Sequence, residues 1–178
     1  MKKRKYDDKV INHPYVFAEG IPLSTEQDKD CLSPRHQFIR HQILEIFCAT
    51  KDDISGRKHN KKVHIGQAGI RCVFCSRVPY KERAVRSFSF PSSTTRIYQS
   101  ATVMFHHHFN ACSYIPDKVK RSLLSLEGKS TNGATNTKQF WVQSARDLGL
   151  VNTEDGMFFE KPPSCQRKKA KVEASAKT

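Results

Sequence analysis

Acidic side chains are almost missing from the middle of this chain. Residues 54 to 116 hold ten Lys or Arg against the single acid Glu82, whereas residues 1 to 53 and 117 to 160 are balanced, and residues 161 to 178 again lean positive by five. The net charge of +14 is therefore confined to one internal segment and the C-terminal tail, the asymmetry of a surface that faces a polyanion such as nucleic acid. Long apolar runs are missing too: none nears the roughly twenty residues of a membrane-spanning helix. No apolar stretch follows Met1-Lys2-Lys3-Arg4-Lys5, so a secretory signal is not expected. Of six cysteines, Cys31, Cys48 and Cys165 show no pairing pattern. That argues against a secreted disulfide framework and for a soluble protein in a reducing, intracellular compartment.

Catalytic signatures are equally scarce. The chain has no Gly-x-Ser-x-Gly elbow, no phosphate-binding glycine loop and no His-Glu-x-x-His helix. A zinc deaminase needs His-x-Glu ahead of its cysteine pair, but Ile65-Gly66 follows His64, and Arg71 precedes Cys72. His59-Asn60 near His64 gives only a faint nuclease pattern, and the chain is read as no enzyme.

What is present is a spaced set of soft donors. Cys72 and Cys75 are separated by two residues, and His108 and Cys112 follow four apart in a helix-like run from Thr94. On a helical wheel with Ile97 as origin, His108 falls near ~20° and Cys112 near ~60°, on the stripe of Ala101, Met104 and Phe105. His106 points to about 180° and His107 to the rim. Cys72, Cys75, His108 and Cys112 are thus the candidate ligands of a closed, structural Zn2+ site. An extended segment would instead pair His106 with His108, which the helical periodicity disfavours.

Around this site the sequence predicts an α+β fold, a small β-hairpin or sheet with a zinc knuckle packed on a long helix and surrounded by three further helices. Residues 1–32 lack periodicity and read as a flexible arm. Ser33-Pro34 caps a helix to Ala49 on which Ile39, Ile43, Ile46 and Phe47 recur at helical spacing, with His36 and His41 as packing or surface histidines. Residues 55–62 read as an exposed loop, 63–78 as β-like, 84–90 as a strand, 94–112 as the long helix and 117–126 as another helix. A loop over 128–136 precedes a last helix through Trp141, Ala145 and Leu148, closed by a Schellman-type stop at Gly149-Leu150. Met157 to Phe159 reads as a short strand. The zinc-stabilised domain is expected over residues 33–160, and the tail 161–178 is too polar to fold.

Arg57, Lys58, Lys61, Lys62, Arg71, Arg77, Lys81, Arg83 and Arg86 are the candidate phosphate contacts, with Phe74 and Tyr80 as stacking candidates. The basic runs Lys2, Lys3, Arg4, Lys5 and Arg167, Lys168, Lys169, Lys171 have the character read by nuclear import receptors. The spacing Cys72-x-x-Cys75, then His108-x-x-x-Cys112 and Ile115-Pro116, resembles BED-type and related Cys-Cys-His-Cys zinc fingers, many of which bind DNA; a long insertion sets it apart. Gly69-Ile-Arg-Cys-Val-Phe-Cys75 is also similar to the cysteine turn of the BIR domain, which binds peptides. That likeness implies acids near the site, for which Asp147, Glu154 and Asp155 are candidates. Gly66 to Cys75, Phe90-Pro-Ser-Ser93 with Arg96 to Ser100, His108 to Cys112, and Trp141 to Ala145 with Leu148 to Val151 resemble a large family of uncharacterised diatom proteins with no assigned activity. The expectation is a nuclear, non-catalytic module for DNA or RNA, with a BIR-like peptide-binding domain and a metal-dependent nuclease as rival readings.

Overall fold

The computed structural model describes residues 19–55, 62–126 and 134–161. Its centre is a four-stranded antiparallel sheet in the order β1 (Ile21–Pro22), β2 (Leu44–Cys48), β3 (Ala68–Cys72) and β4 (Phe88–Ser89). In β2, alternate residues separate onto two faces as a pleated strand requires. Leu44, Ile46 and Cys48 enter the main core, and Phe47 enters a smaller cluster with Ala49, Val63 and Phe90. Glu45 faces its register partner Arg71 on β3 and accepts a 2.6 Å hydrogen bond from its Nε. The Arg71 guanidinium lies 4.7 Å from the Phe47 ring centroid. Gly69 sits where β3 meets Phe47, Phe90 and the Ser89 carbonyl, each 2.8 Å from any Cβ placed there.

Among the described residues, helices α1 (Asp28–Cys31), α2 (Pro34–Phe38), α3 (Lys51–Ser55), α4 (Ile97–His108), α5 (Asp117–Leu124) and α6 (Ala134–Asp147) surround the sheet. None of them is long and apolar enough to cross a membrane. The architecture is α+β, with more helices than the four expected because two short ones, α1 and α3, carry no periodic signal. Ser33 caps α2 as its sequence demands, its Oγ accepting from the His36 amide, with Pro34 at the first position. The Gly149 stop after α6 is also found, at φ 94°.

Four expectations need correction. The segment expected as one helix to Ala49 leaves helical geometry through a π-helical turn at Ile39–Ile43 and becomes β2. Its apolar residues satisfy either period, and five register partners on β3 decide between them. Residues 19–32, expected in the flexible arm, pack on the domain: Ile21, Leu23 and Leu32 are buried. Asp28 forms a buried ion pair with Arg40, 2.7 Å between Oδ2 and Nε. The Arg40 side chain, wholly buried, also donates to the Leu23 carbonyl and to Ser144 Oγ on α6, so one cation ties this segment to two helices. The strand expected over 84–90 shrinks to Phe88–Ser89, because Ala84–Ser87 forms a turn with Arg86 at φ 55°. Finally, of the loop expected over 128–136, residues 128–133 lie outside the described residues and 134–136 belong to α6, while β5 (Leu150–Thr153) pairs with β6 (Gly156–Phe159) in a second hairpin. Residues 1–18 of the arm and 162–178 of the tail lie outside the described residues.

Candidate metal centre

Cys72 ends β3, and the chain turns at once into a 3-10 turn, Val73–Cys75, that brings Cys75 back beneath it. Ser76 locks this knuckle, its Oγ donating to the Val73 carbonyl at 2.6 Å, and the Val78 amide bonds to the Cys75 carbonyl. From the other side, His108 closes α4, and the Cys112 amide reaches the His108 carbonyl at 2.9 Å, so one further helical turn keeps both side chains on one face. His106 and His107 are exposed, as the wheel requires.

The four side chains converge. Their ligand atoms all lie within 4.8 Å of one another, and all four residues are buried. Cys75 Sγ is 3.4 Å from Cys112 Sγ and 3.6 Å from His108 Nε2. A tetrahedral ion with metal–sulfur bonds of about 2.3 Å and metal–nitrogen bonds of about 2.0 Å would hold its donors roughly 3.5–3.8 Å apart. The residues present therefore fit a metal ion. His108 Nδ1 is 3.0 Å from the Val85 carbonyl, to which it donates. That bond leaves Nε2 as the lone-pair nitrogen facing the sulfurs, the outer-shell arrangement of a metal-binding imidazole. Sequence reasoning missed this partner, since a backbone carbonyl in an irregular loop leaves no trace in residue type.

The thiols are coupled. A hydrogen bond from Cys75 draws the Cys72 pKa down, and the same bond, with burial, pushes Cys75 up to about 12. Burial likewise raises Cys112. Three buried sulfurs with an imidazole form a soft, closely spaced donor set suited to a soft or borderline cation.

The segment between Cys75 and β4 is anchored to this centre at several points. His108 holds the Val85 carbonyl, the Cys72 amide bonds to the Ser87 carbonyl at 2.8 Å, and Tyr80 packs on Phe88 with centroids 5.6 Å apart. Of the candidate phosphate contacts, Arg77, Lys81 and Arg86 are exposed on this segment, and Lys62 is exposed just before β3. Arg71 and Arg83 differ. Arg71 is paired with Glu45, and Arg83 reaches Asp53 at 3.1 Å and the Val78 carbonyl at 2.8 Å, so both serve the fold. Arg57, Lys58 and Lys61, and the basic runs at Lys2, Lys3, Arg4, Lys5 and at Arg167, Lys168, Lys169, Lys171, lie outside the described residues. Phe74 is half-buried against the main core. Of the acids considered for a peptide terminus, Asp155 is 3.4 Å from His64 Nε2 and Asp147 accepts from Gln143.

Compared with known protein families, curated proteins and solved structures, the chain matches none.

Proposed function

We propose that this chain is a zinc-stabilised, non-catalytic nucleic-acid-binding module of the nucleus. Three cysteines and one histidine whose ligand atoms lie within 4.8 Å of one another suit structural zinc, and four protein ligands leave no open position for a substrate or water. Zinc held there would supply folding free energy on the order of 10 kcal/mol, comparable with the whole net stability of a domain. The module's work is then binding.

The single observation that carries the binding assignment is the loop 76–87. Fastened to the metal ligands at Val85 and Ser87, it exposes Arg77, Lys81 and Arg86 with only Glu82 to offset them. An anchored segment whose cations pair with no acid among the described residues loses little conformational entropy when phosphates dock, which favours backbone contacts on DNA or RNA. Lys62 stands at the β3 end of the same basic stretch of sequence, preceded by Arg57, Lys58 and Lys61. The terminal basic runs suit an import receptor. Gel-shift titration of single-stranded and duplex probes at 50 and 200 mM salt tests the assignment. Affinity should fall steeply with salt and vary little with sequence. Binding indifferent to salt would overturn it, and probe cleavage on adding magnesium would favour the nuclease reading instead.

A further inference from the structure

A cavity of about 280 Å³ opens between β4 and the first turns of α4, beside the exposed Arg86. Ser89 of β4 lines it with Gln99 and Ser100 of α4, and Val103 and Met104 supply its apolar part. No acid lines it among the described residues. Phe88 also borders it, on the outer strand of the sheet, and the register fixes what that strand shows there. The Cys72 amide bonds to the Ser87 carbonyl, so the next pair, Arg71 and Phe88, is a non-hydrogen-bonded one. The Phe88 amide and carbonyl therefore point off the open edge, away from β3.

Donors prevail around this cavity. Gln99 accepts from Arg96 Nη1 at 2.8 Å, which engages its Oε1 and leaves the Nε2 hydrogens without a partner among the described residues. Arg86 forms no ion pair with a described residue. Its backbone, at φ 55°, is the one non-glycine among the described residues in the left-handed region, which is unfavourable for any side chain with a Cβ. That conformation is held from both sides, by His108 on the Val85 carbonyl and by the Cys72 amide on the Ser87 carbonyl. Strain kept in place by such anchors is characteristic of ligand clamps. The complement of a fixed guanidinium, an edge amide, a side-chain amide and two hydroxyls is an anion with several acceptor oxygens, as phosphate is. A phosphate at a strand end is a monoester and carries close to two negative charges, against about one for a diester within the strand, so it gains more from Arg86. The cavity lies just under the range of small-ligand sites, about 300 to 1,000 Å³, and so takes a phosphate with its sugar rather than a larger ligand.

We infer that this cavity seats the terminal phosphate of a nucleic-acid strand, with Arg86, the Phe88 amide, Gln99 and Ser100 as its donors. The inference rests on the nucleic-acid reading above and adds to it a preference for strand ends. A strand suits the surroundings better than a phosphorylated peptide does, because Arg77 and Lys81 on the same loop are exposed to meet the phosphates that follow the terminal one.

The full chain is titrated, by fluorescence anisotropy, with one oligonucleotide sequence labelled at an internal base and bearing a 5′-phosphate, a 3′-phosphate or hydroxyls at both ends, and a phosphoserine peptide is added as competitor. One of the two phosphorylated strands should bind about tenfold tighter than the hydroxyl-ended strand, the scale of a single hydrogen bond to a charged group. Gln99→Glu keeps the shape of the side chain and its contact with Arg96 but sets a carboxylate where the Nε2 donors were. It should erase the preference for a phosphorylated end and retain most of the affinity for the hydroxyl-ended strand, which the loop cations supply. Should Gln99→Glu fail to fold on a thermal melt, Ser100→Glu carries the same comparison from the next position of α4. Three strands of equal affinity in the wild type, or a preference for a phosphorylated end that survives the folded variant, would overturn the cavity assignment and leave the nucleic-acid reading intact. Binding of none of the strands would overturn both. A phosphoserine peptide that displaces the phosphorylated strand at concentrations below the Kd of that strand would overturn nucleic acid as the occupant.

Discussion

Replacing Arg77, Lys81 and Arg86 together by Gln removes three exposed cations from the loop that His108 and Cys72 hold, and none of the three forms an ion pair with a described residue. On duplex DNA each neutralised phosphate contributes about 0.9 to the slope of log affinity against log salt, so three contacts contribute about 2.7. Between 50 and 200 mM salt, a fourfold change, that slope corresponds to a loss of about 40-fold in affinity that the triple variant should no longer show. Fluorescence anisotropy of a labelled duplex at four salt concentrations gives both slopes. The contrast is Arg71→Gln, whose partner Glu45 already neutralises the guanidinium. It should leave the slope unchanged within one contact while lowering the melting temperature. A triple variant with the wild-type slope would refute the loop as the phosphate-binding surface, and a large loss of slope in Arg71→Gln would show that its ion pair opens on binding.

The remaining predictions concern the frame behind that loop. Asp28→Ala should destabilise the protein by about 3–5 kcal/mol in urea denaturation, because Arg40 would be left buried with its main counter-charge removed; an effect under 1 kcal/mol would mean that residues 19–32 are not part of the cooperative unit. Gly69→Ala should cost about 1–3 kcal/mol by overpacking, since its Cβ meets the Ser89 carbonyl as well as two phenylalanine rings. Arg86→Gly should raise the unfolding midpoint, with a net gain of about 0.5–1 kcal/mol, because an L-residue at φ 55° is strained where glycine is not. The same substitution should lower the salt slope by about 0.9, so stability and affinity move in opposite directions.

The convergence of Cys72, Cys75, His108 and Cys112 was legible because one spacing rule and one periodic rule apply to it. A Cys-x-x-Cys turn fixes two sulfurs by spacing alone, and helical phase separates His108 from its exposed neighbours His106 and His107. Parts of the frame were hidden because they depend on residues far away in sequence. Nothing in Leu44 to Cys48 distinguishes strand from helix until Ala68 to Cys72 supplies the register. Asp28 looks like any surface acid until Arg40 is brought to it from twelve residues on, inside a core. The β5–β6 hairpin turns on Glu154 and Asp155, with Gly156 at φ 131° already pairing with Thr153 as the first residue of β6, so its Asp-Gly dipeptide stands one place beyond the loop position where it marks a two-residue turn. The alternation of residues 84–90 misled, because the turn that carries the Val85 carbonyl to His108 overrides strand propensity. Nor could composition separate the paired cations Arg71 and Arg83 from the exposed ones, since their acids Glu45 and Asp53 come from a part of the chain that is neutral overall.

Metal content of the purified chain tests the central claim most directly, with zinc per polypeptide measured for the wild type, His108→Ala and His106→Ala. One zinc per chain is predicted for the wild type and for His106→Ala, with loss of zinc and of the cooperative melt in His108→Ala. A zinc ratio untouched by His108→Ala, or a wild-type protein that melts identically with and without a chelator, would contradict the account.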